Sequence, residues 1–209
     1  DLKNTLADYT VRLSKKTNGH KFVRVEKDDY KISWYYLDAE KRTAQISPVT
    51  DDNDASTLEN LTSCVVYEDI YDDVDLEYVI SSVGVKENII LNKAGTVTEF
   101  EAEYKANGLT PVVVNDTTVE LRDSNDTVVY VISAPYMIDA SGEKSTNITL
   151  SISEIKNNKF TVKTTVDETW LEDENRVYPV VVDPVLKTEQ SSRVSDSTFV
   201  TEKYPDRCT

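Results

Sequence analysis

Alternation with a period of two runs through most of this chain, and it restricts the possible folds more than any other feature. Ile32, Trp34 and Tyr36 alternate with Lys31, Ser33 and Tyr35, and Val74, Leu76, Tyr78 and Ile80 alternate with Asp73, Asp75 and Glu77. Phe100, Ala102 and Tyr104 alternate with three glutamates, Ile148, Leu150 and Ile152 with Thr149 and Ser151, and Phe160, Val162 and Val166 with Thr161, Lys163 and Thr165. Side chains on a strand point to opposite faces in turn, so each run has one apolar and one wet face, the pattern of antiparallel strands buried on one side. Short breakers separate the runs: Asn18-Gly19, Asp28-Asp29, Lys93-Ala94-Gly95, Asn107-Gly108, Asn115-Asp116, Ser124-Asn125-Asp126, Ser141-Gly142 and Asn157-Asn158. Such residues make hairpin turns, so the pattern predicts an all-β antiparallel β-sandwich of roughly a dozen strands. One segment reads otherwise. Leu2, Leu6, Tyr9 and Leu13 recur at helical spacing and predict a short N-terminal helix, with a strand from Tyr9 to Leu13 as the competing reading because Thr10 and Val11 are β-branched.

The polar run Asp51-Asp52-Asn53-Asp54-Ala55-Ser56 suggests a division into an N-terminal segment or subdomain (1–55) and a β-sandwich domain (56–186). Residues 187–209, rich in Ser and Thr, read as a linker entering a further domain, and the chain as a piece of a longer protein. No apolar run approaches the roughly 20 residues of a membrane helix, so membrane insertion is not expected. With 38 acidic against 23 basic residues the formal net charge is -15. The longest basic cluster, Arg12 to Lys21, is diluted by Ser, Thr and Gly, and no nucleic-acid partner is expected from this balance.

Chemistry is sparse. His20 is the single histidine, which removes a Ser/His/Asp triad and a multi-histidine metal site. Cys64 lies in an apolar strand without an evident base or cation to activate it and reads as an inert core thiol, while Cys208 falls in the linker. Carboxylates abound without distinction, among them Glu68-Asp69, Asp72-Asp73-Val74-Asp75, Asp139 and Glu143. Asp51–Asp54 and Asp123–Asp126 are the best calcium candidates, but their order matches ordinary turns better than an EF-hand loop, so no metal and no cofactor is expected. Tyr30, Trp34, Tyr35 and Tyr36 are the candidate ligand-binding residues, since aromatics on a strand offer a platform to a sugar. Trp170 reads as a core anchor at a short helical turn.

Three blocks then point to a family. They are Tyr67 to Tyr78 followed by Gly84-Val85-Lys86-Glu87-Asn88-Ile89-Ile90-Leu91; Ala134-Pro135-Tyr136-Met137-Ile138-Asp139-Ala140-Ser141-Gly142; and Trp170-Leu171 through Arg176-Val177-Tyr178-Pro179-Val180-Val181-Val182-Asp183-Pro184. This order resembles a β-rich region of secreted and wall-associated Gram-positive proteins that precedes disaggregatase-related (DNRLRE) domains and often RHS/YD repeats. Asp196-Ser197-Thr198-Phe199-Val200 looks like the opening of such a domain. The resemblance implies a secreted or cell-wall location and a non-catalytic structural or adhesive module. Its partner would be a host protein such as immunoglobulin, a glycan or neighbouring domains of its own chain. A carbohydrate-binding module is the alternative, and a carboxylate-based glycoside hydrolase a weaker one.

Overall fold

A computed structural model describes residues 2–6, 9–17, 21–47, 64–80, 84–133, 136–156, 158–183 and 185–188. His20, the 51–56 run, Ala134-Pro135, Pro184, Cys208 and the stretch expected as a linker lie outside the described residues. Among those described, the chain runs β1 (Leu2–Leu6), β2 (Tyr9–Leu13), β3 (Val23–Lys27), β4 (Tyr30–Tyr36), β5 (Gln45–Ser47), β6 (Cys64–Tyr71), β7 (Val74–Ile80), β8 (Gly84–Leu91) and β9 (Glu99–Asn107). It continues with β10 (Thr110–Asn115), β11 (Thr118–Arg122), β12 (Val128–Ser133), β13 (Met137–Ile138), β14 (Lys144–Ser145), β15 (Ile148–Lys156) and β16 (Lys159–Val166). A single helical turn, α1 (Glu168–Leu171), precedes β17 (Val180–Val182) and β18 (Val185–Thr188). The protein is all-β, and every strand pairing is antiparallel.

The first sheet has seven strands in the order β1-β2-β3-β4-β9-β16-β15. The second is built on β8, which pairs with β7 along one side and with β17 and β18 in succession along the other. From there it forks, through β18 to β12, β11 and β10, and through β17 to β13 and β14, while β7 leads back to β6 and β5. Both sheets draw on residues before position 48 and after position 63: β4 pairs with β9, and β5 pairs with β6. The inward positions fill the space between the sheets, where Val11, Val25, Ile32, Trp34, Phe100 and Phe160 meet Tyr67, Leu76, Tyr78, Ile89, Leu121 and Tyr130, all essentially without solvent access.

The expected N-terminal helix is a hairpin instead. Leu2 lies opposite Leu13 and Leu6 opposite Tyr9, so the four residues that form a stripe at helical spacing also form two cross-strand pairs. Thr10 and Val11 favour the extended form, and β3 offers β2 a ready edge, which settles the choice. Among the described residues six that are not glycine have positive φ, five of them aspartates such as Asp28 and Asp73 in tight turns, where a short side chain tolerates the left-handed conformation. Part of the chain's acidity is thus turn chemistry.

Candidate functional site

The aromatic strand β4 is where the sequence places a ligand platform, and the structure divides it between two faces. Trp34 and Tyr36 point into the space between the sheets and are buried, whereas Tyr35 lies half-buried on the outer face and Tyr30 half-buried at the strand's start. Trp34 stacks on Tyr104, which stacks in turn on Phe160, with ring centres 5.3 and 5.4 Å apart. The polar tips of the buried pair meet Glu87. The Tyr36 hydroxyl donates to its Oε1 at 2.5 Å and the Trp34 indole N–H to its Oε2 at 3.2 Å. Glu87 reaches them from the middle of β8 in the opposite sheet, where Val85, Glu87, Ile89 and Leu91 all face inward.

Burial raises the pKa of Glu87, partly opposed by donation from Tyr36 and Trp34. Burial likewise raises the hydroxyls of Tyr36, Tyr78 and Tyr104, and the nearby Glu87 carboxylate adds to the effect. A carboxyl group that spans two sheets and is enclosed by rings is well placed to hold them together and has no route to a large substrate. Tyrosines do the same elsewhere. The Tyr67 hydroxyl donates to the Ser14 carbonyl and that of Tyr71 to the Leu37 carbonyl, both at 2.5 Å, and Tyr30 donates to Asp123 at 3.0 Å. Asp123 also accepts from the backbone of Asn125 and Thr127, so its loop closes on itself as a turn.

A second polar cluster ties the loop after β13 to the segment that follows α1. Arg176 is almost wholly buried, its guanidinium 3.4 Å from the centre of the Trp170 ring. It donates to Asp139 Oδ2 at 2.9 Å, to Glu143 Oε1 at 3.3 Å and to the Trp170 carbonyl at 3.0 Å. Burial pushes the Asp139 carboxyl up, but donation from Ser141, Glu143, Arg176 and Val177 outweighs it and holds the pKa down at about 2. Asp139 and Glu143, read from sequence as possible catalytic carboxylates, therefore share one arginine. The blocks that carry the family resemblance converge here, since β8 pairs with β17 and β17 with β13.

An open recess of about 470 Å³ lies at one end of the sandwich, lined by Asp116, Thr117, Thr146, Asn147, Thr165 and Asp167 among others. Asn147 donates to Asp167 at 2.9 Å, and Asp167 also caps α1 through the Trp170 amide. Four threonines, two aspartates and one asparagine share the lining with Ile148 and Val166, and no group of three or more metal-ligating side chains gathers among the described residues. Cys64, expected as a free thiol, is instead buried and disulfide-bonded.

No family model matches the chain, and no solved structure matches it. Curated proteins do. A protein named tRNA nuclease WapA from Bacillus subtilis is 27% identical over 190 residues, which is 88% of this chain and 8% of that protein. A tRNA3(Ser)-specific nuclease WapA from Bacillus spizizenii and a tRNA(Glu)-specific nuclease WapA from Bacillus subtilis subsp. natto are each 28% identical over 191 residues, with the same coverage. The chain thus spans less than a tenth of the length of these relatives. Their names correct four expectations: a non-catalytic structural or adhesive module, its sugar-binding and glycosidase alternatives, the absence of enzymatic activity, and the absence of a nucleic-acid partner.

Proposed function

We propose that this chain works as part of a tRNA nuclease. The observation that carries the reading is the shared sequence along 88% of the chain with three proteins named for tRNA cleavage. Cleavage and the choice of tRNA are assigned to the polypeptide as a whole, of which this chain matches one part in twelve or so, the 8% of each relative that aligns. Within the described residues two of the four buried carboxyl groups, Glu87 and Asp139, are enclosed by their own donors, and a phosphodiester has no path to either. Their contribution is to fix the sandwich. The order of the three blocks supports a further placement of the chain in a secreted or wall-associated protein, ahead of DNRLRE and RHS/YD-type segments.

The test is direct. The natural full-length polypeptide that contains this chain is purified and incubated with total tRNA, and the products are resolved on a denaturing gel. Discrete tRNA fragments are the expected outcome. Intact tRNA after prolonged incubation of folded protein, with and without divalent cations, would sink the reading.

A further inference from the structure

The register of the first sheet gathers cations that the sequence scatters. Lys3 lies directly opposite Arg12, Arg12 opposite Arg24, and Arg24 opposite Ser33. Ser33 lies opposite Lys105, Lys105 opposite Lys159, and Lys159 opposite Lys156. Six cations and one serine therefore form a single row across all seven strands. It lies on the outer face, because Val11, Val25, Trp34, Tyr104 and Phe160 face inward from the alternate positions. With neighbouring strands about 4.8 Å apart, the row runs for roughly 29 Å. Lys3, Lys105 and Lys156 are exposed, and Arg12, Arg24 and Lys159 partly so.

Two observations mark the row as more than a solvated face. The described acids of the same face sit against lysines: Glu26 by Lys31 at 3.7 Å, Glu103 by Lys159 at 2.6 Å, and Glu99 and Glu101 by Lys163 at 2.7 and 3.9 Å. One of these four contacts, that of Glu103, engages the row itself, at Lys159. Like charges placed directly opposite each other destabilise a sheet, and four adjacent pairs in the row are of this kind. A chain with a net charge of -15 has acids enough to break such a row. A partner gives a reason to keep it.

We infer that the outer face of the first sheet is a docking surface for the phosphate backbone of RNA. The choice of RNA among polyanions rests on the nuclease reading above, while the positive row stands on the strand register alone. At physiological ionic strength charges are screened beyond about 8 Å, so a strand laid along the row feels its cations and little of the acidic turns elsewhere. Tyr35, half-buried on the same face and opposite Glu103, places an aromatic ring one row away.

Fluorescence anisotropy of the 209-residue chain with labelled tRNA tests this. Saturable binding is expected, weakening about sevenfold when salt is doubled from about 0.1 M if roughly four phosphates are contacted. The triple variant Arg12→Gln/Arg24→Gln/Lys105→Gln should bind about tenfold more weakly or worse. Its thermal midpoint should be unchanged or higher, because like-charge repulsion is relieved; a merely structural role for the row predicts the reverse. The control Lys41→Gln/Lys93→Gln/Lys144→Gln, with three exposed lysines of other regions, should bind as the parent does. Absence of binding by the parent, equal loss in both variants, or equally good competition by anionic phospholipid vesicles overturns the proposal. In the full-length protein the row variant should slow tRNA cleavage. Undiminished cleavage by that variant removes this surface and leaves the nuclease reading intact. A full-length protein inert toward tRNA removes the nuclease reading, and the anisotropy result then decides the row by itself.

Discussion

Two carboxyl groups in this sandwich are buried for the same purpose and titrate in opposite directions. Burial raises the pKa of Glu87, so the native state holds that proton more tightly than the unfolded chain does. Its contribution is complete below the ordinary glutamate range and is lost as pH rises through the raised value. Glu87→Gln should therefore flatten the decline of the thermal midpoint as pH rises above the ordinary glutamate range, with the amide oxygen accepting from the Trp34 indole and the amide N–H donating to the Tyr36 hydroxyl oxygen. Parallel curves for parent and variant would refute this. Asp139 has its pKa held near 2, so its contribution is present above the ordinary aspartate range and disappears as pH falls toward that value. Removing one partner of a buried pair leaves the other charge stranded, and Asp139→Ala should cost about 3–5 kcal/mol in urea unfolding at neutral pH. Arg176 would then keep only the more exposed Glu143 as its carboxylate among the contacts described.

At the scale of elements, β4, β9 and β16 are joined by more than their backbone ladders. Trp34, Tyr104 and Phe160 form one stack across the three strands, so Tyr104→Ala should cost about 3–5 kcal/mol, read from the shift of the urea midpoint at constant slope. The strands themselves were legible in the sequence. Alternation around Trp34, Leu76, Tyr104, Leu150 and Val162 marks five elements that the structure contains, and α1 falls where Trp170 suggested a helical turn. The first hairpin was not legible, because Leu2, Leu6, Tyr9 and Leu13 fit a helical stripe and two opposed positions of a strand pair equally well. Glu87 carried a signal that went unused: it occupies an inward position of β8, where a carboxyl group needs donors from the facing sheet. Nothing local identifies those donors. Trp34 and Tyr36 lie about fifty residues away in the chain, and only the packing of one sheet on the other brings them to it. The basic row was hidden for a related reason, since its members become neighbours only once seven strands are in register.

At the scale of the whole molecule, net charge says less than its distribution: five aspartates with positive φ serve turns, while the register of the first sheet lines up six cations. The second sheet has a different lesson. The last of its strands among the described residues, β18, lies between β8 and β12 and not at a margin. Ending the chain at residue 179 should therefore yield a protein without a cooperative unfolding transition, whereas the row variant of the first sheet keeps one. During synthesis the ribosome delivers β8 and β12 long before the segment that joins them. Until Val185–Thr188 emerges, each presents an unsatisfied edge to whatever it meets. Two open edges of this kind are a hazard anywhere that nascent chains accumulate.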